Sequence, residues 1–205
     1  MPHLYYIHDP MCSWCWGFRP ALEELLRRLP DGIGFSRLLG GLAPDTDQPM
    51  PEEMRLQLQA TWRHIQERIP QTRFNFDFWN RNTPRRATYP ACRAVIAARA
   101  LSAESEDRMI LAIQQAYYLQ ARNPSDDETL IALAAEIGLD AKTFADRLHA
   151  PDTRQRLEQE IAGVHAMGVH SFPSLVYEDD NSRWPVAIDY RSADTMLETL
   201  QLVRS

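Results

Sequence analysis

The feature that most constrains this chain is a pair of cysteines, Cys12 and Cys15, at a strand-to-helix junction. Before them, His3-Leu-Tyr-Tyr-Ile-His8 is aromatic and β-branched, the composition of a short strand. After them, Leu22, Leu25, Leu26 and Leu29 recur at helical spacing. Positions three apart share a helix face, so the two thiols can close a small disulfide ring or reopen it. Cys12 falls at the helix N-terminus, where unpaired backbone N–H groups and the helix dipole favour an anion. A CxxC thiol in such a setting commonly has its pKa lowered to roughly 3.5–7.5. The placement predicts a reactive Cys12, poised to attack, and a Cys15 poised to resolve.

A CxxC also serves as half of a zinc site, or as an inert pair. Zinc wants four ligands, typically from a second CxxC or a His pair at fixed spacing. Cys92 stands alone, and His165 and His170 are separated by Gly168 at a spacing that does not suit one helix face. No metal is expected, and the strand–CxxC–helix context favours redox chemistry over an inert pair.

Pro30-Asp31-Gly32 breaks the first helix, and residues 33–39 fit a second strand ended by Gly40-Gly41. This βαβ unit implies a parallel pair. After a Pro- and Asp-rich loop at 43–51, residues 52–167 read only as helices. Met54, Leu58, Trp62, Ile65 and Ile69 mark one apolar stripe; Val95, Ala98 and Leu101 mark another, opened by Thr88 and Pro90. Ser125-Asp-Asp-Glu128 reads as a capping box, and Gly138 as that helix's stop. Residues 71–87 read as a loop whose Phe74, Phe76, Phe78 and Trp79 pack against the domain. Strand character returns at Pro173–Tyr177 and Trp184–Ile188, a hairpin across the turn at 179–182, with Pro185 suited to an edge. Ser192 caps a last helix. The expected fold is α/β: a mixed sheet in β-α-β…β-β-α order with a large all-helical insertion. Residues 1–45 and 168–205 would form the sheet domain and 46–167 the inserted subdomain.

With 205 residues the chain can bury a sizeable core and needs no disulfide staples. A net charge of -6 and the lack of any basic run argue against nucleic acid as a partner. No stretch approaches the roughly 18 consecutive apolar residues of a membrane helix, so no membrane partner is expected. The first residues carry no secretion-signal pattern. The expectation is a cytoplasmic protein, where a CxxC is catalytic more often than structural.

The CxxC on the first β–α turn, the βαβ…ββα order and Ser171-Phe172-Pro173 opening a late strand resemble a thioredoxin-fold protein of the DsbA type. The resemblance spans nearly the whole chain, insertion included. Asp9-Pro10-Met11-Cys12-Ser13-Trp14-Cys15-Trp16-Gly17, taken with Gly168-Val169-His170-Ser171-Phe172-Pro173-Ser174, is similar to the cytoplasmic, FrnE-type branch of that family. The resemblance implies thiol–disulfide exchange by Cys12 and Cys15, with Pro173 in the cis form beside them. It implies no metal or organic cofactor, with glutathione as a candidate reductant or substrate. A cis-Pro at a strand start would leave the Phe172 backbone free to pair with an extended substrate peptide. The chain departs from classical DsbA in placing Ser13-Trp14, not Pro-His, between the cysteines. Trp14 offers only an indole N–H, and Ser13 can donate its hydroxyl to the Cys12 sulfur. A less oxidising disulfide is therefore expected, because a stable reduced thiolate is what makes classical DsbA oxidising.

Several residues carry two readings. His8 can approach Cys12 or point into the sheet. Asp9 can take a proton from Cys15 or merely turn the chain before Pro10. His170 can line the site mouth or lie on the surface. Cys92 reads as core, and Tyr117 and Tyr118 as core or pocket. Two rival functions share the resemblance. One is a glutathione-dependent isomerase or transferase of the 2-hydroxychromene-2-carboxylate isomerase or kappa-class type, which does not rely on two cysteines. The other is a chaperone-like module whose helices hold clients.

Overall fold

The computed structural model describes residues 1–180 and 182–203. Along the chain run β1 (His3–His8), α1 (Ser13–Arg27), β2 (Gly34–Leu39), α2 (Glu52–Arg68), α3 (Phe78–Arg81), α4 (Tyr89–Leu101) and α5 (Ser105–Tyr118). They are followed by α6 (Asp127–Glu136), α7 (Ala141–Leu148), α8 (Pro151–Ala166), β3 (Ser174–Glu178), β4 (Arg183–Val186) and α9 (Asp194–Val203). Among the described residues no helix is long and apolar enough to cross a membrane.

The strands form one mixed sheet in the order β2-β1-β3-β4. β1 pairs parallel to β2, as a βαβ crossover requires, and antiparallel to β3. β4 is an edge, and Pro185 sits there opposite Val176, where a missing ladder donor costs least. Alternation along β1 divides its side chains between two faces. Leu4 and Tyr6 pack with Phe18, Leu22 and Leu25 of α1 and Met196 and Leu200 of α9, whereas Ile7 packs with Val164 of α8 and Val176 of β3. Burying one such apolar side chain contributes roughly 1.5–3 kcal/mol.

Helices between β2 and β3 build a second apolar cluster that also takes in Met11 and Leu39 of the sheet side, and Trp62 of α2 lies inside it against Phe74, Trp79, Tyr117 and Tyr118. The segment read as a loop over 71–87 contains the single-turn helix α3. Four residues are too few for a periodic signal, and the turn is held by packing of Phe78 and Trp79. The capping box is also displaced. α6 begins one residue late, with Asp126 at the N-cap, because the Ser125 hydroxyl donates to the Ala87 carbonyl at 2.7 Å instead. β4 ends at Val186, so Ile188 lies outside it. In the preceding turn Asn181 lies outside the described residues. Ser192 accepts from the Asp194 backbone N–H at the start of α9.

Two glycines bring elements together near the cysteines. A Cβ on Gly17 of α1 would lie 2.9 Å from Ile69 Cδ1, so the bare backbone lets the end of α2 approach. A Cβ on Gly40, just after β2, would lie 1.9 Å from Phe172 Cζ. The Phe172 ring therefore rests on the Gly40 backbone.

Candidate active site

Cys12 is the N-cap of α1, with φ -79° and ψ 117°. Its sulfur accepts the Cys15 backbone N–H at 3.4 Å, the role that Ser, Thr or Asp oxygen usually fills. Its S–H donates to the Phe172 carbonyl at 3.5 Å. The Phe172–Pro173 peptide bond is cis. All three cysteines are free thiols. Cys12 retains 6% exposure and Cys15 none, so only Cys12 can meet a substrate from outside. Burial, and then the bond and charge of Cys12, push the Cys15 thiol well above its usual range. The Asp9 backbone N–H and the Tyr6 hydroxyl act against that shift by bonding its sulfur.

Asp9 is fully buried, and its carboxylate is heavily bonded. Oδ1 accepts the Met11 N–H at 2.8 Å; Oδ2 accepts the Leu42 N–H at 2.8 Å, the Thr88 hydroxyl at 2.6 Å and the Cys92 thiol at 3.5 Å. Burial raises its pKa, and the Thr88, Leu42 and Met11 bonds hold the rise in check. The carboxylate thus faces the loop after β2 and the start of α4, while the Asp9 carbonyl accepts the Cys12 N–H at 3.0 Å. Cys92 lies in the core as expected, with its thiol on the Asp9 carboxylate, and burial pushes that thiol up.

His8 is fully buried and stacks on Tyr6 with ring centroids 4.9 Å apart. Among the described residues neither ring nitrogen has a hydrogen-bond partner. Burial, with the charges of Arg37, Arg19 and Arg99, lowers its pKa to about 3, so the ring is neutral at pH 7. It is a sheet residue, and too weak a base to activate a thiol. His170 is exposed, with its ring 5.4 Å from that of His165. Among the described residues the Ser13 hydroxyl makes no bond to the Cys12 sulfur, since the donor there is the Cys15 N–H.

Tyr118, left open between core and pocket, is buried and donates its hydroxyl to the Met11 carbonyl at 2.7 Å. It fixes the residue just before Cys12. Trp16 stacks on Tyr118 and donates its indole N–H to the Arg73 carbonyl. The Trp14 ring lies between His64, at 5.8 Å, and Tyr190, at 5.3 Å. Sequence offered no signal for these contacts beyond the aromatic character of each residue. Trp14, Phe172, Pro173 and Tyr190 line a cleft of about 780 Å³, and the Cys12 bond to the Phe172 carbonyl joins the thiol to that lining. Among the described residues no three His, Cys, Asp or Glu side chains come together to hold a metal ion.

The profile of a thioredoxin family matches residues 5–188. The chain belongs to that thioredoxin family. Its mixed sheet with a helical insertion is the DsbA-like form of the fold. A candidate protein disulfide isomerase from Nitrosomonas europaea superposes with a TM-score of 0.85 at 28% identity, covering 98% of this chain and 96% of its own. The cytosolic disulfide reductase DsbM from Pseudomonas aeruginosa gives 0.79 at 25% identity, covering 98% of each chain, and has also been solved with GSH. The ClpXP adapter protein SpxH of Halalkalibacterium halodurans is 24% identical over 182 residues, 87% of this chain and 59% of its own length. The thioredoxin-family chain thus spans about three-fifths of such curated relatives, judged by that 59%.

Proposed function

We propose that this thioredoxin-family chain is a thiol–disulfide oxidoreductase with Cys12 as nucleophile and Cys15 as resolving thiol. The observation that carries the reading is the asymmetry of the pair. Cys12 caps α1 at a cleft with its sulfur on the Cys15 N–H, and Cys15 is sealed behind it.

The Cys12 thiolate attacks one sulfur of a substrate disulfide. A mixed disulfide forms and one substrate thiolate leaves. Cys15 then gives up its proton and attacks Cys12 Sγ. The Cys12–Cys15 disulfide forms, the second substrate thiolate leaves, and the substrate has gained two electrons. The Phe172 carbonyl, which receives the Cys12 S–H, leads into the cleft that receives the substrate. A thiol such as glutathione returns the protein to the dithiol form, two thiols giving one disulfide. The similarity to a disulfide reductase solved with GSH supports that donor. Ser13 and Trp14 shape the turn between the thiols, and Phe172 and Pro173 face it.

Replacing Cys12 by Ser should abolish disulfide reduction. Replacing Cys15 by Ser should leave the first step and accumulate a Cys12 mixed disulfide, read by intact mass. Undiminished multiple turnover in Cys15→Ser would contradict the resolving role and favour chemistry that needs one thiol.

A further inference from the structure

The cleft beside Cys12 carries two cations that the exchange chemistry does not use. Arg68 stands in the last turn of α2, and Arg191 in the loop between β4 and α9; both line the cleft and both are exposed. Among the described residues, neither guanidinium has a hydrogen-bond or ion-pair partner. Arginines deeper in the molecule differ: Arg19 and Arg37 both pair with Asp107, and Arg93 pairs with Asp45.

Among the described residues the cleft is lined by one carboxylate, Asp189, and both of its oxygens are engaged locally. Oδ1 accepts the Arg191 backbone N–H at 2.8 Å, and Oδ2 accepts the Thr195 hydroxyl at 3.4 Å. Two exposed arginines thus line the cleft against one committed carboxylate, on a chain whose net charge of -6 repels anions at long range. A guanidinium binds a carboxylate through paired N–H donors, which makes it a better reader of that group than a point charge. A cleft of about 780 Å³ has room for a peptide-sized ligand.

We infer that Arg68 and Arg191 are specificity-determining residues that select small disulfides and thiols bearing carboxylates. The inference rests on the oxidoreductase reading and says which substrates that site prefers. A carboxylate-bearing substrate lying in the cleft with its sulfur reaching Cys12 past Phe172 would have both arginines along the same cleft.

The test is a stoichiometric oxidation of the reduced, full-length protein, with formation of the Cys12–Cys15 disulfide followed by alkylation and mass. Three probes are compared: glutathione disulfide (anionic), hydroxyethyl disulfide (neutral) and cystamine (cationic). The expected order of rate constants, after correction for intrinsic thiol reactivity, is anionic first and cationic last. The glutathione-disulfide to hydroxyethyl-disulfide ratio should fall about threefold in Arg68→Ala or Arg191→Ala, and about tenfold in the double variant. Lysine at both positions should restore part of the ratio, and salt should erode it. An unchanged ratio in the double variant overturns the inference and leaves the oxidoreductase reading standing. Failure of the unaltered protein to form the internal disulfide with any probe overturns both.

Discussion

The Thr88 hydroxyl donates to the Asp9 carboxylate at 2.6 Å, joining the turn that carries Cys12 to the first helix turn beyond the aromatic loop. The same carboxylate takes the Met11 and Leu42 N–H groups. Removing it leaves buried donors without an acceptor, at about 1–3 kcal/mol each. Asp9→Ala should therefore lower stability by about 3–5 kcal/mol, and Thr88→Val by about 1–2 kcal/mol. Urea unfolding of the three proteins checks this. Equal stability of Asp9→Ala and the unaltered chain would mean that the turn is held some other way.

His8 makes a prediction about acid. Its pKa falls from 6.5 in the unfolded chain to about 3 in the folded one. Between those values the unfolded state binds the proton and the folded state does not. Stability contributed by the neutral ring is complete above about pH 6.5 and is lost as pH falls toward 3, at up to about 1.4 kcal/mol per pH unit. Asp9, with its pKa raised by burial, acts in the opposite sense just above the ordinary carboxyl range. His8→Phe, which keeps a ring against Tyr6 and removes both unpartnered nitrogens, should flatten the acid limb of the stability curve. Parallel limbs in the two proteins would show that His8 does not control it.

Gly40 makes a prediction about packing. An added Cβ would sit 1.9 Å from Phe172 Cζ, so Gly40→Ala must push the ring away. The cost expected for such overpacking is about 1–3 kcal/mol. The displaced residue also carries the carbonyl that faces Cys12, so disulfide exchange should slow along with the loss in stability. Thermal unfolding and a thiol-exchange rate measure the two effects. Gly163→Ala is the contrast, because a Cβ there meets nothing within 4 Å.

These residues also show what the sequence could express. The strand before Cys12 and the helix after it are local patterns and fold as read; strand character returns after Gly168 as expected, but over Ser174–Glu178 and Arg183–Val186 rather than 173–177 and 184–188. The sequence left His8 open between the site and the sheet; in the structure the alternation of β1 puts it on the same face as Tyr6, and the two rings stack. The partners of Asp9 across the fold were not legible, because Leu42 reaches it only when β2 pairs beside β1, and Thr88 and Cys92 only when the insertion folds back. Nor was the Tyr118 bond to Met11, for the same reason. Ser125 had the right neighbours for a cap and lost the role to a distant carbonyl. Local rules yield where a tertiary acceptor competes for the same hydroxyl.

The central claim is a reversible dithiol–disulfide couple at Cys12 and Cys15, and a redox titration against glutathione buffers tests it most directly. Thiol alkylation and mass would follow the pair. The account predicts one two-electron transition in which Cys92 stays reduced. Its midpoint should lie below the potential of about -120 mV of classical DsbA. The reason is that, among the described residues, the Cys12 sulfur takes its donors from Cys15 alone and gives its own proton to the Phe172 carbonyl. No internal disulfide in any buffer, with Cys12 only glutathionylated or untouched, would contradict the account. A midpoint as high as that of classical DsbA would leave the couple standing and contradict this explanation of its potential.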